Sequence, residues 1–164
     1  MLDSTVEILS LYVDNPYMII ILISMIPVIE SRGSIPYGIL VLNLPWYNVI
    51  FVSIIANFLI TIPIIYLLDT ISKYFRRFYI SKKFFNWLFA RSKRKGGIIN
   101  KLKLLGLIIF IGIPLPVTGA WTGCVAANIF RINKFYTLIC VFFGILLSVT
   151  IITALTLTGK TFFG

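Results

Sequence analysis

Glu30 and Arg32 are the two ionisable residues that lie deep inside an apolar stretch of this chain. Charged side chains are costly at membrane depth, so they suggest a functional role by default. They could pair in an unwound segment, or each could point at another part of the protein. We expect Glu30 to exchange a proton or gate a path, and Arg32 to bind phosphate or carboxylate through its planar fork. The structural alternative is an ion pair that only holds the backbone in place.

A polar break that contains Pro and Gly interrupts each of two apolar stretches. The first break runs from Pro27 to Pro36 and includes Gly33, and the second runs from Gly112 to Gly123. Each break is flanked by about 9 to 14 apolar residues, whereas one helical crossing needs about 20. Broken backbone at membrane depth must be buried by protein or line a cavity, so the two breaks predict a binding site.

Helix ends in the two breaks are predicted to favour an anion. We expect returning half-helices to begin near Pro36, in a first turn, and near Thr118–Gly119, with Thr118 as N-cap. Their N-termini would face the membrane centre. Gly119 and Gly123 have the spacing that allows close helix packing against the first break. The second break supplies these candidate substrate-binding residues: Pro114, Pro116, Thr118, Gly119, Trp121 and Thr122.

Three residues have two interpretations each. Trp121 could stack on a substrate or fill the core. Asn57 lies inside the apolar span Trp46–Leu68, where it could satisfy backbone of the first break or contact substrate. Arg131 follows the second apolar stretch, where it could set topology and bind head groups or reach a phosphate.

The chain has no His and no nucleophile paired with a base, so we expect no enzyme activity, catalytic residue, metal or cofactor.

Composition indicates one all-α integral membrane domain over residues 1–164. The chain is 59% hydrophobic and 12% charged, whereas soluble domains have about a quarter of their residues charged. The chain has a net charge of +10, and its basic residues lie beside the apolar spans. We therefore expect anionic lipid head groups, and no nucleic acid, as partners.

Charge also predicts topology in the plasma membrane. Residues 72–103 hold eleven Lys and Arg and no acid, which places the loop 69–103 in the cytoplasm. Two opposed re-entrant hairpins, each followed by a full transmembrane helix, put thirteen of fifteen basic residues inside and the N-terminus outside. The hairpins form an inverted repeat, with repeat one at 16–68 and repeat two at 104–158. We expect residues 72–95 to form a cytoplasmic amphipathic helix. Full crossings instead of hairpins would put Arg131 and Lys134 outside.

The motifs in the two breaks resemble those of one family. Glu30-Ser-Arg32-Gly33-Ser-Ile-Pro36-Tyr-Gly38 resembles the E-x-R-G-x-I-P-x-G motif of the small multidrug export protein family. Pro114–Gly123 is similar to its second signature, P-x-P-x-T-G-A-W-T-G. The family is similar to the DedA (VTT-domain) superfamily, which implies opposed hairpins and proton-coupled flipping of polyprenyl phosphates or phospholipids. Glu30 matches the acidic role of that superfamily, but the second break lacks its arginine.

Three functions remain open from the sequence. The first is a transporter that moves an anionic amphiphile between leaflets, with protons as a coupling partner. The second is export of small cationic or neutral drugs, with Glu30 as the cation ligand. The third is a membrane scaffold or assembly factor without transport. Two spans and two hairpins are few elements to shield a polar centre from lipid. We therefore expect a second copy of the chain to complete the cover, which predicts a homodimer.

Overall fold

The computed structural model describes residues 15–27, 29–75, 96–115 and 118–163. Within these ranges the protein contains six α-helices and no strand, which confirms the all-α prediction. The elements are α1 (Pro16–Met25), α2 (Glu30–Pro36), a π-helical turn (Tyr37–Val41), α3 (Trp46–Phe75), α4 (Gly96–Gly112), α5 (Ala120–Ile129) and α6 (Lys134–Phe163).

Two of these helices are long and apolar enough to cross a membrane. The candidate spans are Trp46–Leu68 in α3 and Lys134–Phe162 in α6. The shorter of the two has 23 residues, or about 34 Å of helix, which exceeds a hydrocarbon core of about 30 Å. A helix long and apolar enough to be a candidate span is therefore confirmed at both predicted places, although both helices continue beyond the predicted limits of 68 and 158.

Buried hydroxyl groups join α1, α2 and α3. Ser24 Oγ donates to Ser34 Oγ over 2.8 Å, and Ser34 Oγ lies 2.9 Å from Ser53 Oγ. All three side chains are buried, so each hydroxyl needs the partner that its neighbour supplies. Asn48 Nδ2 also donates to the Tyr17 hydroxyl over 3.1 Å. The first residues of α1 and α3 therefore lie side by side.

Close packing at glycines joins α4, α5 and α6. A Cβ atom on Gly144 of α6 would lie 2.6 Å from Ile111 Cβ, a distance that real side chains do not tolerate. Gly112 likewise leaves space for Leu147, and Gly123 of α5 leaves space for Ile111. These helices approach closely because one partner lacks a side chain at each contact.

The prediction that a half-helix begins near Pro36 is wrong. Helical backbone bonding is already established before Pro36, since the Glu30 amide donates to Ile26 O and the Gly33 amide donates to Ile29 O. Pro36 is the last residue of α2, and its missing N–H removes a bond from the helix interior. The chain then widens into the π-helical turn, in which the Leu42 amide donates to Tyr37 O.

Other predictions fall outside the described residues. The amphipathic helix at 72–95 is one of them, apart from the end of α3, and Pro116 is another.

Candidate functional site

Helix α5 begins within the second break, and the carboxylate of Glu30 meets the N-terminus of that helix. Glu30 Oε2 accepts from the Ala120 amide, and Glu30 Oε1 accepts from the Trp121 amide, both over 3.2 Å. The predicted start of a helix near Thr118–Gly119 is confirmed, but the N-cap residue is Gly119 and not Thr118. A side chain from the other break, 90 residues away, satisfies the free N–H groups that a local cap would otherwise bind.

Position 119 requires glycine, because the Glu30 carboxylate lies against it and leaves no space for a side chain. A Cβ atom there would lie 2.5 Å from Glu30 Oε2 and 2.7 Å from Oε1. The backbone of Gly119 also has a φ of +156°, which side-chain-bearing residues rarely adopt. Gly119 thus packs against the first break as predicted, whereas Gly123 packs against α4.

Glu30 is held in an unusual conformation. Its side chain is 5% exposed, and its backbone has a φ of 49°, in the left-handed region. That conformation costs a residue other than Gly about 1–2 kcal/mol. Burial of a carboxylate is also costly, but two amide donors and the positive end of the α5 dipole offset the loss of water. Outliers of this kind concentrate at sites where the conformation serves a function.

Arg32 binds the other side of the second break, where α4 ends. Its Nη1 donates to Leu115 O, while Nη2 donates to Thr118 Oγ1 over 3.1 Å and reaches Ile113 O at 3.5 Å. The Thr118 hydroxyl lies 2.8 Å from Ile113 O and 2.9 Å from Leu115 O, and it accepts from the Leu115 amide. A guanidinium is therefore matched to the carbonyl groups that follow α4, which favour a cation.

We call Glu30, Arg32, Thr118, Gly119 and the first turn of α5 the central polar cluster. Its two charged side chains both point at the second break, which decides between the two arrangements that the sequence left open. The anion at the N-terminus of α5 is Glu30 itself. A substrate anion at this helix end would have to replace that carboxylate.

The cluster retains unused hydrogen-bonding groups. Arg32 Nε and Trp121 Nε1 are buried without a partner. Outside the cluster, Asn57 Oδ1 on α3 is also buried without a partner, and its residue is only 1% exposed. Buried polar groups nearly always have partners, so such atoms require an explanation. Thr122, in contrast, is satisfied locally, because its hydroxyl donates to Gly119 O.

The other residues that the sequence predicted for the site lie on several different elements. Gly33 and Pro36 belong to α2, and Pro114 lies in the connection between α4 and α5. Arg131 is not part of the cluster. It lines a cavity of about 390 Å³ that extends along α5 from Cys124 past the C-terminus of the helix.

Sequence reasoning missed most of the residues around this cavity. Its polar lining comprises Asn128, Arg131, Asn133, Lys134 and Thr137. The sequence uses Lys134 only in the topology prediction, and it predicts no role for Asn128, Asn133 or Thr137. The available signal was a run of polar residues between two apolar helices, which resembles an ordinary surface turn.

Comparison with known proteins identifies the family. Residues 30–151 match the family described as "Putative small multi-drug export protein". The comparisons with curated proteins and with solved structures found no match. The matched region covers about three quarters of the chain and contains Glu30, Arg32 and the whole second break. The chain therefore belongs to the small multi-drug export protein family.

Proposed function

We propose that this protein is a membrane exporter whose central polar cluster is the gate. One observation carries the proposal: the Glu30 carboxylate binds the N-terminus of α5 and so joins the two broken stretches. Charged groups at membrane depth are expensive, and here each charge is used to hold one break against the other. A contact of this kind can be made and broken as a path opens and closes.

We further propose that each broken stretch is a re-entrant hairpin. The contact between Tyr17 and Asn48 supports this for the first, because it brings the start of α1 beside the start of α3. The packing of Ile111 on Gly144 and of Gly112 on Leu147 supports it for the second, because the end of α4 then lies beside the middle of α6 and not beside one of its ends. Two such units of opposite orientation would form the inverted repeat, with the basic loop in the cytoplasm.

A proton is the coupling ion that the cluster suits best. Hydrogen bonds to a charged group contribute about 1.5–3 kcal/mol each, so an ionised Glu30 holds α5 firmly. Protonation removes the charge that both amides and the helix dipole stabilise, and it lowers the cost of separating the two breaks. Glu30 would then alternate between a closed, ionised state and an open, protonated state.

An anionic amphiphile is the first candidate substrate, such as a polyprenyl phosphate or phospholipid moved in the manner of the DedA superfamily. An anion could replace Glu30 at the N-terminus of α5 while Arg32 binds it through donors that include its unpartnered Nε. The cations beside α5, Arg131 and Lys134, also favour a negative head group.

Small cationic or neutral drugs are the second candidate. The description of the family favours them. Under this alternative, a carboxylate released from α5 becomes the ligand for the cation, and Arg32 serves only to keep the second break in shape.

Reconstitution into liposomes tests the proposal and separates the candidates. Fluorescent phosphatidylglycerol, a cationic dye and a neutral dye are compared, each with and without a pH gradient. We expect the wild type to move the anionic lipid faster than empty liposomes and faster still with a gradient. Glu30→Gln should be roughly tenfold slower, a change of about 1.4 kcal/mol in the barrier, and insensitive to the gradient.

Lys160→Gln, at an exposed position near the end of α6, is the matched control and should behave as wild type. Movement of the cationic dye instead of the lipid would favour the second candidate. No movement of any probe above empty liposomes would refute the exporter.

A further inference from the structure

The cavity beside Arg131 lies between the C-terminus of α5 and the start of α6, and Ile65 of α3 closes one side. Its volume is about 390 Å³, whereas a water molecule occupies about 30 Å³ of liquid. Pockets for small ligands measure about 300–1,000 Å³, so the cavity has room for a head group and not merely for one water molecule.

The polar lining of this cavity is suited to a negative charge. Arg131 and Lys134 supply two cations, Asn128 supplies an amide, and none of the described residues that line the cavity is Asp or Glu. The Lys134 ammonium lies 4.5 Å from the centre of the Tyr66 ring, which restricts where it can go. The start of α6 adds the positive end of a 30-residue helix.

The backbone at Arg131 strengthens the argument. Its φ is 53°, in the left-handed region, where Gly is free of strain and another residue pays about 1–2 kcal/mol. Arginine is thus a poor choice for the turn itself. Its presence in the lining of a basic cavity indicates that the side chain serves the cavity and not the turn.

We infer that this cavity binds a phosphate group. Arginine is suited to phosphate because its planar fork donates two parallel hydrogen bonds, and Lys134 adds a second charge. The inference rests on the proposed function in one respect: the phosphate would belong to the head group of an exported amphiphile. A free phosphate ester has the same chemistry, so the source is decided by experiment.

The cavity also has a structural connection to the gate. Helix α5 has ten residues, or about 15 Å, between the end that Glu30 holds and the end that carries Asn128 toward Arg131. A phosphate in the cavity binds beside the same short helix that the central polar cluster holds at its other end.

The test measures binding to the purified full chain in detergent. Glycerol 3-phosphate and dihexanoyl phosphatidic acid are titrated while the unfolding temperature is recorded, with dihexanoylglycerol as the uncharged control. Ligands that bind the folded state raise that temperature. We expect at least one phosphate probe to raise it and dihexanoylglycerol to leave it unchanged. Binding of both phosphate probes indicates recognition of a phosphate ester, and binding of phosphatidic acid alone indicates a lipid head group.

Two variants locate the binding. Arg131→Gly suits the left-handed turn, so the unliganded protein should remain folded, and Lys134→Gln keeps most of the side-chain volume. Each should weaken phosphate binding at least tenfold, whereas Lys160→Gln should bind as wild type. Failure of both probes to bind, or wild-type binding by both cavity variants, would overturn the inference.

The same titration on Glu30→Gln separates this inference from the proposed function. We expect this variant to bind phosphate as wild type does, because Glu30 does not line the cavity. Phosphate binding without any transport would refute the exporter alone. Transport of the anionic lipid without phosphate binding in detergent would refute only the cavity site.

Discussion

Glu30 and Arg32 each satisfy a helix end that belongs to the other broken stretch. The carboxylate accepts from the amides at the start of α5, and the guanidinium donates to carbonyl groups of the segment that follows α4. Because both side chains hold one segment, their contributions to stability should depend on each other. When either side chain is lost, the second break is already less firmly held, so removal of the other side chain costs less.

A double-mutant cycle measures this dependence. We expect Glu30→Gln and Arg32→Gln each to lower the free energy of unfolding, and the double variant to lose less than both together, with a coupling of about 0.5–3 kcal/mol. The measurement is denaturant unfolding of the purified protein in detergent. Strictly additive losses would mean that the two side chains act on separate structures.

Gly119→Ala tests the close approach of the carboxylate. The added methyl group would collide with both oxygens of Glu30, so we expect the unfolding free energy to fall by about 1–3 kcal/mol. Gly106→Ala is the matched control, since no atom lies within 4 Å of its Cβ position, and it should be neutral or stabilising by up to about 1 kcal/mol. Equal effects in the two variants, measured by thermal unfolding, would contradict the described contact.

The importance of Glu30 could be predicted from the sequence, but its partner could not. An ionisable residue in an apolar stretch can be recognised from the sequence, because the free-energy cost of a charge in apolar surroundings does not depend on the details of the fold. The contact with Ala120 spans 90 residues, and no local pattern encodes it. Thr118 shows the same limit. It has the ordinary character of an N-cap, yet a carboxylate from another segment binds the amides, and the Thr118 hydroxyl bonds to the Ile113 and Leu115 carbonyls that follow α4.

Helices α4 and α6 pack through positions that lack side chains. Ile111 fills the space above Gly144, and Leu147 fills the space above Gly112, so the two helices approach closely at both positions. This contact matters for the gate, because the carbonyl groups that Arg32 binds belong to the segment that directly follows α4.

Gly144→Ala and Gly159→Ala form a matched pair on α6. At Gly144 the new methyl group would lie 2.6 Å from Ile111 Cβ, whereas at Gly159 no atom lies within 4 Å. We expect Gly144→Ala to lower the unfolding free energy by about 1–3 kcal/mol, and Gly159→Ala to leave it unchanged or raise it slightly. A stabilising effect of Gly144→Ala in thermal unfolding would show that the two helices are farther apart than described.

Hydropathy predicted the long helices well and the short ones poorly. The spans within α3 and α6 are long apolar runs, so length alone identifies them. The start of α2 could not be placed, because Pro36 signals a first turn, whereas backbone bonds made earlier in the chain start the helix at Glu30.

The whole molecule is a membrane protein of the small multi-drug export family whose two broken stretches meet. Large apolar side chains cover much of its surface, among them Phe51, Leu155 and Phe162. We propose that part of this surface faces lipid and part pairs two copies into a homodimer. Cross-linking in membranes with a short bifunctional reagent should trap that dimer.

The central claim is that the first broken stretch enters the membrane and returns, and labelling of single cysteines tests it most directly. Cys124 and Cys140, both buried, are replaced by Ala, and Asn15, Asn43 and Asn133, all exposed, are replaced by Cys in turn. An impermeant maleimide is then applied to intact cells and to permeabilised cells. We expect positions 15 and 43 to react from outside, and position 133 to react only after permeabilisation. Reaction of positions 15 and 43 from opposite sides would show that this stretch crosses the membrane, and the proposed gate between two hairpins would be wrong.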